Sequence, residues 1–527
     1  MSFTRRGNRR SAGTSSLYAA ASRDKGHRAA PFWKRPLGII ATVIVLALLG
    51  GFIYLFGAQF GHMVARMLAS GTWALYAGLI FGIVMALVAF RRYDEGKHFA
   101  SILATGGVVA LGGILVATMV FPYLRLQAVY NESVQVVTEE QAPSFKQRQP
   151  FDVASAVSNR TLGDVQGNAT GVIKSVPAHD IFTTSIERRG PFLGYESIQQ
   201  MTISPFGTTG NSGVQTCDFS ESAKLRFGGF LPVNNLKRAI YWKTSPTTQA
   251  DMKDSVFVCE DDKPMIYVPL TKVEGFPFGH PVPGGVAVYD GSTGDLTIQD
   301  EYKGDLPLYP SSVAEYQRKS TQARESWWRY MTGRAGFEDT SKDEEDPNGE
   351  NRAEFSLGSE DGKTSYYVTP LTPRGASSNI VALGTVTSDA QVKAGELNPY
   401  TIYRYPSEEV RQANSSVATT ITGDILAGYK SSGLKVFEVV PAEDGSWVAS
   451  IGKEQSTLYR AVIAVDGSIT LYNESGDVVG TNAKPVEGEE GDESAASTAK
   501  ELSEMSDEEL VQLIKDASDE LGSRTGD

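Results

Sequence analysis

The side chains best suited to chemistry in this chain are five histidines and two cysteines, and their spacing commits to no reaction. His27, His62 and His98 lie before or between three apolar runs in the first quarter of the sequence, so only His179 and His280 can serve the long polar region that follows. His179-Asp180 and His280 could join a serine as a hydrolytic triad, but such a constellation is defined by spatial geometry and not by linear spacing. There is no HExxH, no Gly-x-Ser-x-Gly elbow, no Walker loop and no glycine-rich dinucleotide fingerprint, so neither a catalytic residue nor a cofactor is expected. The carboxylate runs Glu260-Asp261-Asp262 and Asp343 to Asp346 lack the alternating spacing and central glycine of a calcium loop and read as solvated charge, not as metal ligands. Cys217 and Cys259 both follow the apolar runs. Outside a membrane thiols meet an oxidising compartment, so the expectation is a disulfide stabilising the fold by very roughly 4 kcal/mol, with two separate buried thiols as the alternative.

The apolar runs are Leu37 to Phe56, Leu68 to Phe90 and Ala100 to Phe121, each free of charged side chains. At about 1.5 Å rise per residue each can cross a hydrocarbon core of roughly 30 Å, which predicts three transmembrane helices. The basic residues Arg5, Arg6, Arg9, Arg10, Arg23, Lys25, Arg28, Lys34 and Arg35 precede the first run, and Arg91, Arg92 and Lys97 precede the third, against only Arg66 before the second. The positive-inside rule then places the N-terminus in the cytoplasm and everything after Phe121 outside the cell membrane, with the first span an uncleaved signal anchor. None of the runs holds an ionisable group, which argues against an ion or proton path through them. The second carries Ala74, Gly78, Gly82 and Ala86 at four-residue spacing, a stripe suited to close packing against another helix.

Charge divides the chain as sharply as hydropathy. Residues 1–99 carry 13 basic and 3 acidic groups, a net of +10, whereas the whole chain is at −13, so the remainder carries −23. This charge argues against nucleic acid or anionic lipid as the main partner of the outer part, because both are bound by neutralising phosphate with Lys and Arg. The expected partners are the membrane itself and a protein or cell-wall polymer outside it; oligomeric state is left open.

The outer part reads as mainly β within an α+β fold. After a basic tail at 1–36, the membrane domain at 37–121 and a membrane-proximal connector at 122–149, short alternating apolar runs bounded by Gly, Pro, Asn and Asp predict antiparallel strands over 150–335 and again over 353–480. A helix is expected over about 311–333, where Val313, Tyr316, Ser320, Ala323, Trp327 and Tyr330 recur at helical spacing behind Pro310, with Arg318, Lys319, Arg324 and Arg329 largely on a solvated face. An acidic stretch at 336–352 reads as a linker between two β-rich units. The fragments YVPLT at 267–271 and YVTPLT at 367–372 hint at duplication. Residues 481–527 read as an acidic disordered tail with a short amphipathic helix over about 507–521, whose Leu510, Leu513, Ile514, Ala517 and Leu521 would dock on protein.

The segments GVAVYDGSTGDLTIQ at 285–299 and YRAVIAVDGSITLYNESGDVVG at 459–480 each combine a strand, an Asp-Gly turn and a second strand. In this they resemble the hairpins of PepSY-type domains, extracytoplasmic modules of bacterial membrane proteins, and the resemblance implies a binding or regulatory module with no catalytic residues to carry over. The expectation is a non-enzymatic integral membrane protein of a bacterial envelope, Gram-positive-like or borne by a mobile element or phage, whose outer domain binds or scaffolds a partner. A subunit of a transport or secretion machine, and an envelope hydrolase or transferase with an unrecognised site, are the alternatives.

Overall fold

The computed structural model describes residues 36–481, interrupted by short stretches of which 340–354 is the longest. The basic N-terminal segment and the tail helix expected from Leu510 to Leu521 lie outside the described residues. The chain divides into two compact units, 1–63 and 64–527.

The first helices are α1 (Pro36–Ala69), α2 (Thr72–Arg91) and α3 (Lys97–Ser133). Two stretches, Ile39–Ala58 and Thr105–Ser133, are long and apolar enough to cross a membrane, while the apolar stretch Tyr76–Val88 of α2 is shorter. α2 packs on α3, and the glycine stripe explains how. A methyl group built on Gly78 would meet Ile114 at 2.8 Å, and one on Gly82 would meet Leu111 at 3.3 Å. At Gly78 and Gly82 the stripe is thus occupied by a neighbouring helix of the same chain.

The connector expected at 122–149 needs correction. α3 does not stop at Phe121 but continues through Pro122 to Ser133, because Tyr123, Leu126, Val129 and Ser133 keep helical spacing and are all buried. Proline removes one backbone donor there, and the packing of the following turns outweighs that loss. With no intervening loop the chain becomes β1 (Val134–Val137). Residues 142–150 are likewise held: Lys146 donates its N–H to the Gly358 carbonyl at 2.9 Å, and Arg148 makes a bidentate ion pair with the buried Glu438 at 2.6 and 2.8 Å.

Beyond this the chain is an α+β body built from four units of one plan, a helix followed by five antiparallel strands. The first unit holds α4 (Phe151–Thr161), β2 (Gly167–Ala169), β3 (Lys174–Val176), β4 (Ile181–Arg188), β5 (Tyr195–Thr202) and β6 (Gly213–Asp218). The second holds α5 (Glu221–Phe227), α6 (Asn235–Lys243), β7 (Thr248–Ala250), β8 (Val256–Glu260), β9 (Lys263–Glu274), β10 (His280–Asp290) and β11 (Asp295–Gln299). The third holds α7 (Ser311–Ser320), α8 (Trp327–Met331), β12 (Phe337–Asp339), β13 (Phe355–Gly358), β14 (Ser365–Pro373), β15 (Ala382–Thr387) and β16 (Tyr400–Arg404). The fourth holds α9 (Asn414–Thr420) and a plain meander of β17 (Lys435–Pro441), β18 (Trp447–Lys453), β19 (Ser456–Ile463), β20 (Ile469–Asn473) and β21 (Val478–Thr481). β1 joins the third sheet by pairing in parallel with β16.

In the first three units two short strands share one edge of a long third strand. β3 and β2 cover the two halves of β4, β8 and β7 those of β9, and β13 and β12 those of β14. The YVPLT and YVTPLT fragments mark the gap. β8 ends its pairing at Tyr267 and β7 begins at Leu270, so Pro269 falls between them; β13 ends at Val368 and β12 begins at Leu371, so Pro370 falls between those. Proline has no N–H to offer a partner strand, so it is tolerated where that edge is open.

The two-unit reading parted by a linker at 336–352 is corrected by the same pairings. β12 and β13 flank the acidic stretch and both pair with β14, so the stretch interrupts one sheet edge. The largest core, moreover, mixes Val176 and Ile181 of the first unit, Val256 and Val286 of the second, and Leu371 and Ile402 of the third. The helix expected over 311–333 is also broken. Thr321 spends its hydroxyl on the Phe337 N–H at 3.0 Å, and Gly336, at φ +87°, lies so close that a methyl on it would sit 2.5 Å from the Gln322 backbone. A 3₁₀ turn at Thr321–Ala323 therefore separates α7 from α8. Arg318 is not solvated but buried, and it pairs with Asp339 at 2.9 Å.

Cys217 of β6 and Cys259 of β8 are joined by a disulfide that staples the first sheet to the second. It closes a loop of sequence separation 42, for which the chain-entropy model gives about 4 kcal/mol. Replacing both cysteines by serine should lower the denaturant midpoint without changing the secondary structure; an unchanged midpoint would show the staple to be energetically idle.

Candidate functional site

Three places bring chemistry-bearing side chains together, and the first is a cleft where the first and second sheets meet. It encloses about 290 Å³ and is lined on its polar side by His179, Gln200, Glu260, Tyr302 and Asp305. The Asp180 that follows His179 has φ +53° and turns away to pair with Lys146 at 2.5 Å, while His179 Nε2 lies 3.1 Å from Asp305 Oδ2. Glu260 accepts the Tyr267 hydroxyl at 2.7 Å, and burial pushes the Tyr302 phenol up to about 12. A histidine beside a carboxylate is two-thirds of a hydrolytic triad. Among the described residues the cleft lining holds no serine or threonine to complete it, and the sulfur of Cys259 there is held in the disulfide. Asp261 and Asp262, both at positive φ, form the tight turn of the β8–β9 hairpin, and among the described residues no group of three or more His, Cys, Asp and Glu could hold a metal ion.

The second place is the N-terminus of α7, where three units meet on one carboxylate. Asp254 is nearly fully buried; its Oδ1 accepts the Lys174 ammonium at 2.9 Å and its Oδ2 accepts the Ser311 N–H at 2.7 Å. One side chain thus caps a helix of the third unit and neutralises a lysine of the first from a position in the second, satisfying an exposed helix donor and a buried charge together. Asp251 stands beside it, hydrogen-bonded to Ser312, whose hydroxyl lies 3.0 Å from Thr271 Oγ1. Burial first, and then the charge of Asp254, push the Asp251 carboxyl above its ordinary range, against the pull of Ser312, Lys174 and Lys253. A carboxylate raised in the folded state stabilises most below its unfolded value and loses that contribution as pH rises through its folded one. Asp251→Asn should therefore gain stability over wild type near about pH 7 and converge with it near about pH 4 in thermal melts; parallel pH profiles would refute the assignment.

The third place is the seat of α3. Tyr123 donates its hydroxyl to the Glu325 carbonyl at 2.8 Å, and its ring centroid lies 5.6 Å from that of Tyr330. Arg374 donates to the Tyr330 carbonyl at 3.1 Å and covers the same ring. Trp327 Nε1 donates to the Met119 carbonyl at 3.4 Å. Tyr316 packs here too, its phenol pushed up to about 12 by burial in spite of the nearby Arg125 charge. His280 Nε2 stands 3.8 Å from Glu132 on the last turn of α3. His179 and His280 therefore serve different places, and no triad joins them. Sequence reasoning missed this seat, although Tyr123, Leu126 and Val129 continue the helical spacing past the end of the apolar run. Tyr123→Ala should speed amide exchange in α8 by roughly 10- to 100-fold while leaving the β9 and β14 amides unchanged; uniform acceleration would mean global loss of stability instead.

The chain matches no protein-family model, and no curated protein is similar to it in sequence. The two segments that resemble PepSY-type hairpins do form hairpins, β10–β11 and β19–β20, and no family assignment follows from them.

Proposed function

We propose that this is a non-enzymatic integral membrane protein of a bacterial envelope, crossing the bilayer three times with its N-terminus inside, whose extracytoplasmic α+β body binds or scaffolds a protein or wall-polymer partner. The observation that carries the reading is the loop-free passage from α3 to β1. A helix with an uncovered apolar surface belongs in lipid, and here it is wired by backbone hydrogen bonds into a sheet that shares its core with two others. Such a mount fixes the orientation of a large surface over the membrane, which a scaffold requires. The His179 cleft, with Gln200, Glu260, Tyr302 and Asp305 on its polar side, offers hydrogen-bonding groups to a polar partner.

A surface for a protein partner is available at β21, the outermost strand of the fourth sheet, where Val478 and Val479 are exposed. Among the described residues no further strand lies beyond β21 in this sheet, and its exposed valines form an apolar surface that added charge would disrupt. The transport-machine alternative loses its main sequence argument, because the stripe of Gly78 and Gly82 faces α3. Crosslinking of full-length protein in native membranes, followed by quantitative mass spectrometry, should recover one stoichiometric envelope partner with crosslinks to the α+β body. Val478→Asp with Val479→Asp should abolish its recovery. Capture unaffected by the double variant, or recovery of the protein alone, would sink the scaffold reading at this edge.

A further inference from the structure

Large apolar side chains are exposed at few places outside α1, α2 and α3: among the described residues they are Trp242, Trp327, Trp328, Met331, Val478 and Val479. Three of these six sit in the five residues of α8, a helix with no buried residue of its own, and Trp328 is 67% exposed. With Trp327 and Met331 partly exposed beside it, Trp328 makes α8 an exposed apolar patch, the kind of surface that marks a contact with a membrane or a partner.

The position of α8 says what covers it. Trp327 is bonded to the carbonyl of Met119, and Tyr330 stacks against Tyr123, so α8 lies against α3 at residues 119–123. That is where the apolar run of α3 ends: Leu115, Val116 and Met119 below are exposed and apolar, whereas Tyr123 and Leu126 above are buried in the body. The exposed Arg324 and Arg334 flank the helix, and Arg329 lies within it, in a part of the chain that is otherwise strongly acidic. Indoles and phenols prefer the depth of lipid headgroups, where the ring is apolar and the N–H or O–H stays wet, and arginines there reach phosphate.

We infer that α8 is a membrane-interface foot: Trp327, Trp328 and Met331 insert into the headgroup layer of the outer leaflet, with Arg324 and Arg334 against lipid phosphate, seating the body on the bilayer at a second point beside α3. This rests on the reading that α3 crosses the membrane. The foot limits tilt of the body about α3, since tilting would pull the indoles back into water.

The test uses full-length protein in nanodiscs of phosphatidylcholine with phosphatidylglycerol. Both native cysteines are bonded to each other, so a single introduced thiol takes a polarity-sensitive fluorophore cleanly. Three variants are compared: Trp328→Cys on the foot, Leu115→Cys on α3, and Lys363→Cys. Lys363 is exposed and precedes β14, whose far end leads to Arg374 on the Tyr330 ring, so it stands about 30 Å from the foot. With a spin label at shallow acyl depth, the probe at 328 should emit to the blue of the probe at 363 and lose roughly half of its intensity or more, while the probe at 363 is unaffected. A probe at 328 as solvent-like as the one at 363, with the probe at 115 quenched by a deep spin label, would overturn the foot and leave the crossing intact. A probe at 115 that no lipid label reaches would remove the crossing and the foot together. Unchanged melting of Trp328→Cys confirms that the exposed position was altered without unfolding.

Discussion

The parallel pairing of β1 with β16 is the constraint on which the rest of the molecule depends. Four consecutive residues immediately after a 37-residue helix are locked in register with Tyr400 to Tyr403, so the axis of α3 and the plane of the third sheet are set together. A flexible linker would have decoupled them, as linkers of polar composition do. Because the third sheet shares its core with the first and second, the mount extends to most of the body. Side chains then finish what the backbone begins: Tyr123, Tyr330 and Arg374 clamp the helix from the outside, and Asp254 ties three units at one buried point.

The repeated plan of helix and five strands gives these contacts a common logic. In the first two units a helix packs on its own sheet, as Ala154 does with Phe182 and Met201, and Leu236 and Ile240 with Leu270 and Ala287. The places of greatest chemical interest lie where repeats meet: the His179 cleft between the first two sheets, Asp254 at the start of α7, and the seat of α3.

How much of this was legible in the sequence follows from the range of the interactions. Apolar runs are set by the solvent around a helix and are read directly from thirty or so residues. Hairpins such as β10–β11 are equally local, since Asp290 bonds the Ser292 and Thr293 amides of its own turn. The helix start at Ser311 behind Pro310 is local as well. What failed was everything decided by distant partners. The acidic stretch after Asp339 looks like a domain boundary because charge marks exposure, yet β12 and β13 on either side of it pair with the same strand. The turns from Pro122 to Ser133 were lost because only one face is apolar there, and its partners Tyr316 and Tyr330 lie far along the chain. Asp254 had no signal at all, with ligands at Lys174 and Ser311 on either side of it in sequence. The YVPLT and YVTPLT fragments occupy the same place in two sheets, at the gap between two short strands on one edge.

The β1–β16 pairing also sets a clock. Val134 is made long before Tyr400, and at an elongation rate of roughly 5–20 residues per second the interval is on the order of tens of seconds. During it the strand that will anchor the body has emerged with its partner still unmade, beside an apolar helix and with an open backbone edge. Three of the four units must be synthesised before the first strand can close, so the late-forming contact comes at the start of the chain. The first and second units are made within that interval, before Leu371 and Ile402, the residues of the third unit that share their core.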